Sequence, residues 1–277
     1  MRRTVHFGGE GMIYREIGLG KASLRTYVLS NYKDLDPNRR RAFIMICPGG
    51  GYHFCSEREA EPVAIKFNSL GYNTAVLYYT VNPTDEGHRD EGIFPEPQED
   101  LARAVAWVRC NAEELNTDPS RIAVLGFSAG GHLVASLGVF WPEYGAMSRP
   151  DAIVLCYSVI TSGEYAHRGS IDNLIGNRKQ LLNKVSLEKQ VSEDTPPTFL
   201  WASDKDPSVP VMNSIMFGKA LDACGVKNEI HLYDSRYHGL SLGTREVMKP
   251  DKPFSAEVSD WPDRVDRFLC SLWGPVF

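Results

Sequence analysis

Gly126-Phe127-Ser128-Ala129-Gly130 places a serine in a G-x-S-x-G setting. The flanking residues give those letters their weight. Arg121 to Leu125 (RIAVL) reads as an apolar strand running into the motif, and the Ala/Leu/Val-rich segment from Ala129 to about Phe140 reads as a helix leaving it. A strand, a sharp turn and a helix lift a serine hydroxyl to the carboxyl end of a sheet, with the helix N-terminus beneath it. Small residues on both sides let the chain turn tightly. Ser128 is therefore the candidate nucleophile for acyl transfer.

A serine hydroxyl needs a base to take its proton. His238 stands in Tyr-His-Gly-Leu just after an apolar run, where Gly239 lets a loop turn back over the sheet. A neutral imidazole suits proton uptake and later delivery to a leaving group. His132 sits on the helix behind the serine and reads as packing, while His6, His88, His167 and His231 have no supporting context. The orienting carboxylate is expected between nucleophile and base in chain order. Asp206 follows the strand TFLWA and precedes Pro207-Ser208-Val209-Pro210. It is preferred to Asp204 as the group that accepts the Nδ1–H of His238 and fixes its tautomer.

Pro48-Gly49-Gly50-Gly51-Tyr52 follows the run RAFIMIC. Glycines let backbone N–H groups come close to a ligand. Gly50, Gly51 and Ala129 are the expected amide donors to the oxyanion of a tetrahedral intermediate, each worth roughly 2.7–4 kcal/mol of barrier. No G-x-x-x-x-G-K-[ST] pattern is present, which weakens a phosphate-loop reading of these glycines. Tyr52 and His53, next in the chain, are candidate substrate-binding residues.

Elements must hold these residues in place. Arg41 to Cys47, Thr74 to Tyr79, Arg121 to Leu125, Ala152 to Tyr157, Thr198 to Ala202 and Glu229 to Tyr233 read as strands apolar enough to be covered on both faces. Helical patterns alternate with them at Glu57 to Leu70, Gln98 to Leu115, Ala129 to Phe140, Val211 to Ala223 and Glu257 to Leu272. This alternation predicts an α/β fold with a mostly parallel central sheet and helices on both faces. The first thirty-odd residues read as antiparallel edge strands. From Ile160 to Thr195, after the fourth parallel strand, a polar and partly helical stretch interrupts the rhythm and reads as a lid, or as plain cover over the sheet. Residues 1–277 read as one domain.

With 277 residues, 43% hydrophobic and 23% charged, the chain can bury a large core. Its formal charge of −5 argues against nucleic acid or an anionic membrane as main partner. No run of about 18 apolar residues predicts a membrane span, and MRRTVHFGGEGMIYREIG lacks the apolar core of a signal peptide. The six cysteines form no CxxC pair, and Cys47, Cys110, Cys156 and Cys270, in apolar runs, read as buried free thiols. A cytoplasmic location is expected.

The chain resembles α/β-hydrolase esterases of the hormone-sensitive-lipase and acetyl-esterase type, and more closely bacterial acetylxylan-esterase-like hydrolases. The resemblance runs nearly end to end. It is carried by CPGGGY (47–52), SEREAEPVA (56–64), PQEDLARAVAWVR (97–109), GFSAGGHL (126–133), SLEKQVSEDTPPTFLW (186–201) and YHGLSLG (237–243). It implies the α/β-hydrolase fold and places the triad aspartate before x-x-Val-Pro, at Asp206. Many relatives have histidine before the three glycines. Pro48 stands there instead, as in the acetylxylan-like group. Glu57, Arg58 and Glu61, beside the glycine loop, either shape the pocket or tie the next helix to it.

The expected activity is a serine carboxylic-ester hydrolase on short acyl groups, acetate foremost, with acetylated xylo-oligosaccharides or other sugars as the small-molecule partner. The mechanism calls for no metal and no organic cofactor. A peptidase or lipase of the same fold, or a non-catalytic binding protein, are the alternatives. The sequence leaves room for a homo-oligomer. Tyr52, Tyr78, Tyr79, Trp141 and Trp201 are either core residues or a sugar-stacking platform.

Overall fold

The structure, a computed structural model, describes residues 3–6, 11–83, 85, 87–248 and 255–275. Among these, β1 (Arg3–His6), β2 (Ile13–Leu19) and β3 (Ala22–Val28) form an antiparallel ribbon. It joins β5 (Asn73–Tyr78), again antiparallel. From β5 onward, β4 (Arg41–Cys47), β6 (Thr117–Phe127), β7 (Ala152–Cys156), β8 (Thr198–Ser203) and β9 (Asn228–Tyr233) all run parallel. The sheet order is β1-β2-β3-β5-β4-β6-β7-β8-β9. The expected edge ribbon and all six expected strands are present.

The strands are uniformly apolar because both faces are covered. In β4, Phe43, Met45 and Cys47 enter one core while Ala42, Ile44 and Ile46 enter the other. One face is covered by α1 (Glu61–Ser69) and α6 (Trp261–Trp273), through Val63, Phe67, Trp261, Val265 and Phe268. The other is covered by α2 (Glu96–Cys110), α3 (Ser128–Tyr144) and α5 (Met212–Ala223), through Leu101, Val105, Val108, Leu133, Leu137, Phe217 and Leu221.

Several boundaries move for local reasons. The expected helix 57–70 divides into a 3-10 turn at Glu57–Glu59 and α1, where Pro62 sits in the first turn. Pro262 likewise sits in the first turn of α6, which starts at Trp261 and not Glu257. Strand β6 starts early, because Thr117 pairs with Arg41 and the pairing then skips to Ile122 opposite Phe43, leaving the intervening residues as a bulge. Two cysteines depart from expectation: Cys110 is exposed and Cys270 half-buried, since each lies on the outer side of its helix end, whereas Cys47 and Cys156 are buried strand residues.

The segment 160–195 contains no strand. It holds α4 (Arg168–Ile175) and 3-10 turns at Lys179–Leu181 and Leu187–Lys189. Its polar composition conceals Ile171, Leu174, Ile175, Val185 and Leu187, all buried in the core on the α2–α3–α5 side. Asn213 of α5 secures its start. The Asn213 carboxamide accepts the N–H groups of Ile160 and Thr161 at 2.9 and 3.1 Å and donates to the carbonyl of Tyr165 at 2.9 Å. Among the described residues no helix is long and apolar enough to cross a membrane.

The chain passes from β4 to β5 on one side and then to β6 on the other. The strand order therefore reverses between β4 and β6. At such a switch point the loops at the carboxyl ends part and leave a crevice for a ligand. The glycine loop after β4 and the serine after β6 face that crevice from its two walls.

Candidate active site

Ser128 occupies the junction of β6 and α3 with φ at +51°, a conformation few residues other than glycine adopt. Such a backbone costs about 1–3 kcal/mol and persists where its surroundings hold it. Here they do. A Cβ on Gly130 would lie 2.2 Å from the carbonyl oxygen of Cys47 and 2.3 Å from that of Pro48. The first turn of α3 is thus pressed against the start of the glycine loop, which brings the two walls together.

The Ser128 Oγ is 2.9 Å from Nε2 of His238, and Nδ1 of His238 is 2.7 Å from Oδ2 of Asp206. The other Asp206 oxygen accepts the N–H groups of Ser208 and Val209 at 2.8 and 3.0 Å, and its side chain is completely buried. That turn accounts for the spacing from the aspartate to Val209-Pro210. An ionised carboxylate only accepts, so Nδ1 carries the imidazole proton and Nε2 presents its lone pair to the serine hydroxyl. The rival Asp204 is directed elsewhere, accepting the N–H of Ser235 at 3.0 Å beside Lys205.

Gly50 and Gly51 line a cleft of about 300 Å³ together with Ser128, His238, His53, Phe54, Ser56, Arg58, Glu59, His167, Ser208 and Gly239. Gly50 has φ at +127°, and a Cβ there would fall 2.0 Å from the carbonyl oxygen of Phe54. Among the described residues the Gly50 and Gly51 amides have no protein acceptor. The Ala129 amide, in the first turn of α3, has no acceptor within its own helix. All three amides are thereby left for a ligand oxygen.

Two larger hollows, of about 560 and 490 Å³, lie elsewhere and do not include Ser128.

Tyr52 departs from the expected substrate contact. It is fully buried behind the loop, and its hydroxyl pairs with Nδ1 of His132 at 2.9 Å. Nε2 of His132 faces the carbonyl of Val185 at 2.9 Å, so His132 donates from Nε2 and accepts from Tyr52. Burial lowers the His132 pKa to about 4, so it stays neutral. His53 does line the cleft, but both ring nitrogens are engaged, by the Asn82 carbonyl and the Asn173 carboxamide. Of the two readings of the aromatic residues, the core one holds. Tyr52, Tyr79 and Trp201 are core residues, Tyr78 packs under Arg25, and Trp141 packs under Arg149. The aromatic ring at the cleft is Phe54, which is 58% exposed.

Four residues at the site carry no sequence signal that marks them for it. Phe54 follows the glycines without a pattern to mark it. His167 comes from the segment 160–195; its Nδ1 accepts from Ser170, and burial, then the neighbouring His238, lowers its pKa. Glu59 lies within SEREAEPVA, between Arg58 and Glu61. It is 3% exposed, with one oxygen accepting the Gly49 N–H at 2.9 Å and the other the Tyr157 hydroxyl at 2.7 Å. Tyr157 looked like the end of a strand, yet its ring packs edge-on against His238 with centroids 5.1 Å apart. Arg58 donates to the Gly239 carbonyl. Glu57 and Glu61 line the 560 Å³ hollow and not this cleft.

Comparison with known proteins matches residues 91–242 to the family described as alpha/beta hydrolase fold, and residues 32–143 to that described as BD-FAE. The chain is 37% identical over 217 residues to endo-1,4-beta-xylanase B of Butyrivibrio fibrisolvens, covering 75% of this chain and 34% of that protein. It is 30% identical over 233 residues to an acetylxylan esterase of Xylanibacter ruminicola, covering 81% and 45%. The chain thus spans about a third to a half of the length of these curated relatives. Among solved structures it resembles an acetyl ester-xyloside bifunctional hydrolase from Caldicellulosiruptor lactoaceticus, with TM-score 0.79 and 36% identity over 91% of this chain and 89% of that one.

Proposed function

Because the chain belongs to the family described as alpha/beta hydrolase fold, we propose that it is a serine carboxylic-ester hydrolase acting on short acyl esters, acetate foremost, carried on the hydroxyl groups of a sugar. The observation that carries this reading is the line of contacts from Ser128 through His238 to Asp206, at 2.9 and 2.7 Å, opening on a cleft beside unpaired glycine amides.

In the proposed reaction Ser128 attacks the ester carbonyl as His238 Nε2 takes its proton. Asp206 accepts the Nδ1–H, which favours the imidazolium that forms. The carbonyl oxygen, now negative, receives the amides of Gly50, Gly51 and Ala129, donors already in place before charge develops. His238 then protonates the departing alcohol. Water then attacks the acyl carbonyl as it gives a proton to the same histidine, which passes it to the Ser128 Oγ when the bond to the acyl carbon breaks and the acid leaves.

The cleft supports a small acyl group and a polar alcohol. Its lining holds histidines, serines and an arginine, with Phe54 as its one large apolar side chain. A long acyl chain would need an apolar channel. The acetylxylan esterase and the acetyl ester-xyloside hydrolase named above point to acetylated xylo-oligosaccharides. In the cytoplasmic setting expected from the sequence, short oligomers and not insoluble xylan would be the substrate.

The test compares p-nitrophenyl acetate, butyrate and octanoate, acetylated xylo-oligosaccharides and insoluble xylan, with Ser128→Ala as control. Preference for acetate, release of acetate from the oligomers and its loss in the variant are expected. A wild type that is inert, or equally active without the serine, overturns the reading. Equal activity on insoluble xylan overturns the oligomer assignment alone.

A further inference from the structure

We propose that Glu59 is a positioning residue which, through Tyr157, locks the glycine loop to the histidine loop, so that the oxyanion donors and the base are set by one buried clamp. The inference rests on the esterase reading above. The two loops are far apart in sequence and need a connection to hold register. Glu59 supplies one end of it: the carboxylate oxygen that accepts the Gly49 N–H sits so close that a Cβ on Gly49 would lie 2.7 Å from it and 3.1 Å from Ser128 Cβ. Gly49 is thus held between Glu59 and the proposed nucleophile, and its orientation sets that of Gly50 and Gly51.

The other end runs through Tyr157. Its hydroxyl donates to Glu59 at 2.7 Å and accepts the Ser241 N–H at 3.0 Å. Burial above all, and then the neighbouring Glu59, raise the Tyr157 pKa well beyond its ordinary value, so the phenol keeps the proton it donates. Its ring meets the His238 ring edge-on, and its backbone has φ at +38°. The adjoining residue reinforces the link. Arg58 donates to the Gly239 carbonyl, and the Ser241 hydroxyl donates to the Arg58 carbonyl at 2.6 Å. Gly239 and Ser241, both just after His238, are therefore tied to the pair Arg58–Glu59.

A carboxylate serving only its own helix would bond within its own turn. Among the described residues, both donors to Glu59 lie instead outside its own turn, Gly49 at the start of the glycine loop and Tyr157 just after β7, one on each side of the crevice. Burying such a group is costly unless both oxygens are satisfied, as they are here. Misplacing a reacting group by about 1 Å can cost about 100-fold in rate.

The experiment measures Glu59→Gln, Tyr157→Phe and the double variant on p-nitrophenyl acetate, with wild type and Ser128→Ala alongside and thermal unfolding recorded for each. A glutamine can accept only one of the two bonds, and phenylalanine removes only the hydroxyl. Each single change is expected to lower kcat about 10- to 100-fold with KM within about twofold. The double variant should fall no further than the worse single one, because both cut the same link. Unchanged kcat in folded Glu59→Gln or Tyr157→Phe, losses that multiply, or losses confined to KM would overturn the clamp. An inert wild type would instead remove the esterase reading on which it rests.

Discussion

At the residue scale, the proposed chemistry depends on lone pairs and protons whose direction is set by neighbours. Asp206 receives two amides on one oxygen and His238 on the other. Replacing it with asparagine should leave the side chain's shape but offer an N–H where an acceptor is needed. We expect kcat to fall about 10³- to 10⁴-fold with the fold intact, checked by steady-state kinetics beside circular dichroism. Phe54 gives a different prediction. An exposed ring at the cleft can stack on a sugar, a contact of about 1 kcal/mol. Phe54→Ala should therefore raise KM for an acetylated xylo-oligosaccharide about fivefold while leaving KM for ethyl acetate unchanged. An equal change for both substrates would speak against stacking.

At the element scale, the turn between β6 and α3 matters most. It forces Ser128 into a positive φ, and the glycine at the next turn allows α3 to touch the backbone of the neighbouring loop. In Gly130→Ala the new methyl would meet two carbonyl oxygens at 2.2 and 2.3 Å, so α3 or the glycine loop must shift. The expected cost is about 3 kcal/mol, read as a lower urea midpoint, with activity falling more than stability because the proposed oxyanion donors move with the loop. The segment 160–195 is legible at this scale only in part. Its lack of strands was plain, whereas its buried Ile171, Leu174 and Val185 were hidden because they are spaced among polar residues over short turns.

At the scale of the whole molecule, two cores flank one sheet, and the site sits where the strand order reverses. The core behind the glycine loop contains a titratable group, His132. Its pKa of about 4 lies below the ordinary value near 6.5, so the unfolded chain takes up the proton more readily. Its contribution is fully present above pH 6.5 and is lost as pH falls toward 4. Between pH 7 and pH 5 the wild type should lose about 2 kcal/mol through this group, and His132→Gln should lack that part of the loss. Urea unfolding of both proteins at the two pH values tests this. Parallel slopes would mean that His132 does not report the buried environment.

The sequence by itself determined the strands, the placing of the helices and the glycine loop, and it singled out Ser128, His238 and Asp206 as the candidates that the structure brings into contact. These are local matters: apolar runs demand burial, and a tight turn demands small residues, whatever lies across the fold. Asp206 is preferred to Asp204 by its place after the strand TFLWA, and the resemblance points the same way; that its other oxygen is held by the Ser208 and Val209 amides was visible only in the structure. Only the tertiary structure decided that Tyr52 faces inward to His132 while Phe54, two residues on, faces the cleft. The difference depends on how the loop rolls at Gly50, and no residue type announces it. Tertiary structure also decided that Glu59, and not its neighbours Glu57 and Glu61, meets Gly49 and Tyr157. Three similar carboxylates in one short stretch have the same local chemistry. What separates them is which one the 3-10 turn before α1 directs toward the crevice, and that follows from packing between segments distant in the chain.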